Sequence, residues 1–231
     1  PSSLPLSDCG STGFPGMEQY VYQDTVTISP ACDTWTMSWD LCCRNDDITN
    51  LFDPGGEEMY VESTLNSLTA PCNSSPYFTA QPIPYVCVNQ QVTYNFGVVE
   101  NDGDSLSFSI VNALNNVPSN IPYNFPYTGA SPTPYVVPAD SLTLDPATGL
   151  LTFTPTYVVV IQVDEYDNSD PLTPVLIGSV MRDIQVVVES CSNNVPDPTT
   201  GAITNLTGLA TQLNSNTIEL CDGSSFSFDI S

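Results

Sequence analysis

The chain has 231 residues and only two cationic side chains, Arg44 and Arg182, with no lysine or histidine, against 26 aspartates and glutamates, for a net charge of −24. Without histidine there is no imidazole base near neutral pH, which excludes Ser-His-Asp and Cys-His nucleophilic sites; without lysine there is no Schiff base, phosphate-loop lysine or lysine isopeptide cross-link. A field of this sign repels phosphate, making nucleic acid and anionic membranes poor partners, while 41 % hydrophobic and 10 % aromatic residues supply real cores.

In chain order, residues 1–5 do not read as a signal peptide, so any export signal is expected to precede this numbering. Thr34-Trp35-Thr36-Met37-Ser38-Trp39-Asp40-Leu41 alternates with period two and places Trp35, Met37, Trp39 and Leu41 on one face of a strand. Residues 105–110, 151–154 and 225–230 alternate in the same way, and 158–161 and 184–188 read as interior strands covered on both sides. Only 204–213 permits a helix, weakened by Gly208. With 21 prolines and 13 glycines punctuating short strands, the expected class is all-β, built as sandwiches. No run approaches the roughly 20 apolar residues that span a bilayer, so direct membrane insertion is not expected.

The eight cysteines, Cys9, Cys32, Cys42, Cys43, Cys72, Cys87, Cys191 and Cys221, form no CxxC pair and have no histidine beside them. They read as disulfides in an oxidising, extracellular setting rather than as zinc ligands. The segment Cys87 to Phe96 is echoed by Cys221 to Ile230: cysteine, polar spacer, alternating strand. Each is preceded by a cysteine in a Pro/Asn/Ser-rich connector, which predicts Cys72–Cys87 and Cys191–Cys221 as staples at domain junctions. Cys42 and Cys43, pointing to opposite faces of a strand, should take different partners, Cys32 and Cys9 in an order the sequence leaves open. The expected organisation is an N-terminal sandwich over 1–71, a connector over 72–86, a second sandwich over 87–191, a connector over 192–216, and a strand over 217–231. That strand either begins a further domain or completes a neighbouring subunit.

The sharpest chemical motif is Val99-Glu100-Asn101-Asp102-Gly103-Asp104-Ser105-Leu106. Alternate acids on a tight glycine-containing turn converge on one hard cation, which points to calcium. It is not an EF-hand, and a plain β-turn using Asp and Gly for their geometry is the competing reading. With the strand-end acids at 164–167 and Asp183 beside it, the candidate ligands are Glu100, Asp102, Asp104, Asp164 and Asp183. Arg44 and Arg182 read as structural forks, Arg44 towards Asp46 or Asp47 and Arg182 towards Asp183 or the Asp164 cluster. A two-carboxylate glycosidase would need a raised-pKa acid in an aromatic cleft; the aromatics here alternate with Ser and Thr as sandwich faces do. The aromatic, proline-rich loop Pro122-Tyr123-Asn124-Phe125-Pro126-Tyr127 could contact a sugar or simply cap the fold.

Trp39-Asp40-Leu41-Cys42-Cys43-Arg44-Asn45, followed by Ile48-Thr49-Asn50, resembles a signature of very large secreted surface proteins of Bacteroidota, including gliding-motility-associated adhesin-like proteins exported by the type IX system. The resemblance continues through Pro71-Cys72-Asn73-Ser74-Ser75-Pro76, Tyr85-Val86-Cys87-Val88-Asn89-Gln90, Asp102-Gly103-Asp104-Ser105-Leu106, Leu144-Asp145-Pro146-Ala147-Thr148-Gly149, Phe153-Thr154-Pro155 and Arg182-Asp183-Ile184-Gln185-Val186. It implies tandem Ig-like or cadherin-like sandwiches on a cell surface, often calcium-supported, with only Asp102 and Asp104 matching the cadherin-like acidic motif directly. It also implies O-glycans at Asp-Ser/Thr-apolar triplets, here Thr25, Ser105 and Ser141. The resulting expectation is a non-enzymatic structural and adhesive module of a long cell-surface protein, whose partners are other copies or domains of the same protein and surface glycans. A polymerising filament or sheath subunit, pairing residues 1–16 or 217–231 with a neighbour's sheet edge, is the alternative, and a carbohydrate-binding module centred on Tyr123 to Tyr135 the third.

Overall fold

A computed structural model describes residues 19–81, 85–87, 90–116, 119–132, 142–153, 158–169, 172–189, 203–208, 211–214, 217–219 and 226–230. Within them the chain is all-β, and the only helical turn is a 3-10 turn at Pro54–Gly56. The first half contributes β1 (Trp35–Leu41), β2 (Met59–Leu65), β3 (Tyr77–Phe78), β4 (Tyr85–Cys87), β5 (Val92–Asn95), β6 (Val98–Val99), β7 (Ser105–Val111), β8 (Leu114–Asn115) and β9 (Ser119–Asn120). The second half contributes β10 (Thr143–Leu144), β11 (Leu150–Phe153), β12 (Val158–Asp167), β13 (Val175–Gln185), β14 (Val187–Glu189), β15 (Ile203–Gly208), β16 (Thr211–Asn214), β17 (Thr217–Glu219) and β18 (Phe226–Ile230).

The centre is a seven-stranded sheet in the order β7-β12-β13-β2-β8-β9, with β1 on β2. The long pair β12–β13 organises it, since Val159, Ile161 and Val163 fall on one face and Val160 on the other, all buried. Burial on both faces is what a run of four branched apolar residues dictates. On the first face those residues pack with Phe108 of β7, with Tyr94, Leu151 and Phe153 from the three-stranded sheet β10-β11-β5, and with Phe96 just after β5. On the second face Val160 packs with Ile48, Leu51, Ala113 and Ile121.

That second cluster corrects the expected domain division. Strand β2, placed by sequence in a first domain, hydrogen-bonds to β13 of the predicted second (Gly178↔Leu65, Val180↔Ser63), and Ile48 and Leu51 share a core with Val160. The segment 72–86 is therefore not a junction between separate sheets. Nor is 184–188 one interior strand: β13 ends at Gln185, and β14 pairs in parallel with β4. Within the expected connector, whose stretch 204–213 leaned to helix, residues 203–208 and 211–214 form β15 and β16, which pair with β18 and β17. The β-branched Ile203, Thr204, Thr207 and Thr211 outweigh the helix-permissive leucines between them.

The cysteines also depart from expectation. Cys42 and Cys43 are joined to each other rather than to different partners, and they lie past the end of β1 at Leu41, where strand alternation no longer applies. Cys72 is a free, exposed thiol in a turn, Cys32 is free and half-buried, and Cys87 is disulfide-bonded, so the expected Cys72–Cys87 pair is not made. Cys9, Cys191 and Cys221, and with them the expected Cys191–Cys221 staple, lie outside the described residues. Alkylation before reduction, followed by peptide mapping, is expected to label Cys72 fully and Cys32 more slowly; a Cys72–Cys87 cross-linked peptide would contradict this arrangement.

The turn 145–149 shows how tightly the covering layer is seated. Phe108 donates its N–H to the carbonyl of Pro146 at 2.9 Å, and the Asp145 carboxylate accepts the N–H of Ala147 at 2.9 Å, which with the Thr148 contacts holds its pKa below the ordinary carboxylate value. Gly149 closes the turn with φ of +68°, and a Cβ there would meet Phe108 Cε1 at 2.5 Å. Gly149→Ala is expected to destabilise by about 2–4 kcal/mol, through left-handed strain and core overlap together, read as an earlier denaturant midpoint at unchanged slope.

Candidate metal centre

Just after β6 the chain reverses over 100–104. The Glu100 carboxylate organises the turn by accepting three backbone N–H groups, from Asp102 at 2.6 Å, Gly103 at 2.5 Å and Asp104 at 2.7 Å. Gly103, at φ +89°, supplies the left-handed residue the reversal needs. The turn is clamped from outside: Ser74 donates its N–H to Asp102 Oδ2 at 2.6 Å, Asn168 Nδ2 donates to the Gly103 carbonyl at 2.7 Å, and the Ser105 hydroxyl bonds the Asn168 side-chain oxygen.

Beneath this turn lies Glu165. In the β7–β12–β13 ladder it stands opposite Leu106 on one side and Gly178 on the other. It shares the parity of Ile161 and Val163, so its side chain enters the face that carries the main core and is fully buried. Gly178 leaves room for it, since a Cβ there would lie 2.9 Å from Glu165 Oε2. Asn73 Nδ2 donates to that same oxygen at 2.6 Å, whereas Oε1 is buried with no hydrogen-bond partner among the described residues. One carboxylate oxygen from each of Glu100, Asp104 and Glu165 lies within 4.8 Å of the others.

The electrostatics are unfavourable without a counter-charge. Burial, followed by the charges of Asp104, Glu100 and Asp102, pushes the Glu165 pKa up, only partly offset by Asn73. Burial is also the main cause raising Asp104, with Glu100, Asp167 and Asp102 adding to it. Neither arginine relieves the cluster. Arg182 Nη2 donates to the carbonyl of Ala80 at 2.8 Å and its guanidinium lies 5.0 Å from the Phe78 ring centroid. Arg44 pairs with Asp183 at 2.8 Å and donates from Nε to the Glu58 carbonyl at 3.0 Å and from Nη2 to the Leu114 carbonyl at 3.3 Å. The partners expected for Arg44 (Asp46 or Asp47) and for Arg182 (Asp183 or the Asp164 cluster) are replaced by these, Asp183 pairing with Arg44 instead.

Of the five expected ligands the structure brings together Glu100 and Asp104, with Asp102 at the rim turned to Ser74. Asp164 is not among them: adjacent strand residues face opposite ways, and its carboxylate instead accepts Gln162 Nε2 at 2.6 Å. Asp183 is likewise on the far face of β13, committed to Arg44. Sequence reasoning held Glu165 only within the 164–167 acidic cluster, taking Asp164 as the ligand, and missed Asn73. The signal for Glu165 was present, because Val159, Ile161 and Val163 mark the buried parity and Glu165 continues it.

All-oxygen carboxylate ligands suit a hard cation such as calcium or magnesium rather than a soft transition metal. The remaining sequence candidates lie elsewhere. Tyr123, offered as a sugar contact, accepts the Ala113 N–H at 2.9 Å and packs on the second core; Tyr135 lies outside the described residues. Thr25 is exposed beside Asp24, Ser105 belongs to the clamped turn, and Ser141 lies outside the described residues. Among the described residues no helix is long and apolar enough to cross a membrane. Compared with known proteins, the chain matches no family model, no curated protein and no solved structure.

Proposed function

We propose that this chain is a non-enzymatic, extracellular structural and adhesive module of Ig-like or cadherin-like kind, braced by a hard divalent cation such as calcium. The observation that carries the reading is Glu165, a fully buried carboxylate whose Oε1 has no hydrogen-bond partner among the described residues and whose neighbours across a gap are two further acids. A buried charge is tolerated when it is paired or coordinates a metal. Among the described residues the donor it meets is the side-chain amide of Asn73.

The position of the site explains what a cation would do mechanically. Glu165 belongs to the central strand, Glu100 and Asp104 to the turn joining β6 to β7, and Asn73 and Ser74 to the loop after β2. One ion would tie three separate chain segments at one end of the large sheet, stiffening the end of a load-bearing domain. The disulfide chemistry at Cys42, Cys43 and Cys87 fits an oxidising compartment, and the absence of lysine and histidine fits a scaffold rather than a catalyst. Isothermal titration of chelator-stripped protein with calcium chloride and, separately, magnesium chloride tests the reading. One saturable calcium site, lost in Asp104→Asn, is expected; no heat from either ion removes the cation from the proposal.

A further inference from the structure

Residues 19–29, Gln-Tyr-Val-Tyr-Gln-Asp-Thr-Val-Thr-Ile-Ser, have the composition of a strand but belong to no sheet. Aromatic and β-branched residues dominate, and Tyr22, Val26 and Ile28 fall on one parity. Val21 is 77 % exposed and Val26 66 %, and of the chain's 26 acids only Asp24 lies in this stretch. A run this apolar and this weakly charged, open to water and without a ladder, is suited to strand addition.

The structure also contains the matching acceptor. Strand β1 pairs with β2 along its whole length, and its other edge has no ladder partner among the described residues. Its Trp35, Met37, Trp39 and Leu41 extend the core face of the large sheet beyond the covering layer: Met37 stands opposite Ser63, and Ser63 opposite Val180, which packs against the main core. Met37 and Leu41 are 44 % and 49 % exposed. A groove of about 460 Å³ opens there between Met37, Trp39, Val61, Tyr77 and Val180.

Two contacts bear on which segment meets this part of the sheet. The Tyr22 ring rests on Trp39, with centroids 5.9 Å apart, so the segment already has affinity for this face. Within one copy, however, the intervening chain is tied to the turn after β2: Cys32 donates its N–H to Ser67 Oγ at 3.0 Å, and Leu68 donates its N–H to the Cys32 carbonyl at 3.2 Å. That tether holds Cys32 at the turn after β2, three residues before β1 begins, while Tyr22 contacts the face of β1 through Trp39. A segment from another molecule carries no such restraint. We infer that residues 21–28 of one copy add as a strand to the free edge of β1 in a second copy, making the chain self-associating.

The inference does not depend on the cation, so its test is run in EDTA. The full chain carries −24 charge, so screening should promote association. Sedimentation velocity is expected to show a dimer or larger species that grows with protein concentration and with sodium chloride. Thr25→Pro, which removes a ladder donor from a segment outside every sheet and therefore leaves the melting temperature unchanged, should abolish that species. Hydrogen exchange should show the β1 amides gaining protection only in the associated form. A monomer at every concentration and salt overturns the inference, as does association that survives Thr25→Pro. Protection of β1 amides in the monomer that Thr25→Pro removes would show the pairing to be within one copy and overturn it equally.

Discussion

Arg44→Ala is expected to destabilise the protein by about 3–5 kcal/mol at neutral pH, the usual result of leaving one member of a buried ion pair behind. For a domain of this size that corresponds to a fall in melting temperature on the order of 10 °C. The side chains of Arg44 and Asp183 are only 3 % and 4 % exposed, and the same guanidinium satisfies the carbonyls of Glu58 and Leu114, so its removal orphans three acceptors at once. The effect should depend on pH in a definite direction. Burial pushes the Asp183 pKa above the ordinary carboxylate value, with Arg44 offsetting part of that. Removing Arg44 removes the offset, so in the variant Asp183 takes up a proton at a still higher pH. As a neutral acid it is no longer an unpaired charge, and the loss measured by denaturant unfolding should shrink as pH falls from neutral through the mildly acidic range. A double variant, Arg44→Met with Asp183→Leu, is expected to recover the electrostatic part of the loss and not the part due to the orphaned carbonyls. Equal destabilisation at all pH values would mean that packing, not the stranded charge, governs this position.

The same residues show what a sequence can and cannot reveal. The rarity of arginine marked Arg44 and Arg182 as structural forks, but their partners depend on tertiary register. Asp183 lies 139 positions away from Arg44, counted from their numbers (183 − 44), and only the pairing of β2 with β13 brings the neighbourhood together. Period-two alternation announced β1, β7 and β11, and the apolar run at 158–161 announced a strand buried on both faces. It could not announce β2, because Glu62, Ser63 and Thr64 interrupt the apolar pattern where the strand is only half covered. Without β2, the chain reads as two units instead of one shared sheet. In the candidate metal centre, the Asp-Gly-Asp turn was legible from residue chemistry alone. The choice between neighbouring Asp164 and Glu165 was not a matter of chemistry, since both are acids; it was decided by which one shares the buried parity of Val163. The paired cysteines failed for the converse reason: strand alternation was extended past Leu41, where the strand had already ended.

In protein stripped of metal, calcium is expected to raise the melting temperature by about 5–10 °C, on the basis that a ligand at a hundred times its dissociation constant adds about 2.7 kcal/mol and that each kcal/mol moves a domain of this size by about 2–4 °C. Glu165→Gln keeps the shape of the side chain but removes its charge, so it should abolish the response. In EDTA the same variant should melt at or above the native protein, because a desolvated charge facing Glu100 and Asp104 has been deleted. The pH dependence follows from the raised values of Glu165 and Asp104. Without metal, the folded protein keeps these protons at pH values where the unfolded chain has released them, so the two groups favour folding at low pH. That contribution is lost as pH rises from the ordinary carboxylate value through the raised one. Calcium needs both groups ionised, so its affinity should increase across the same window. The separation between melting curves in calcium and in EDTA should therefore widen as pH rises and vanish in acid. Curves that coincide throughout that window would show that the buried carboxylate is held neutral by the fold and serves no ion.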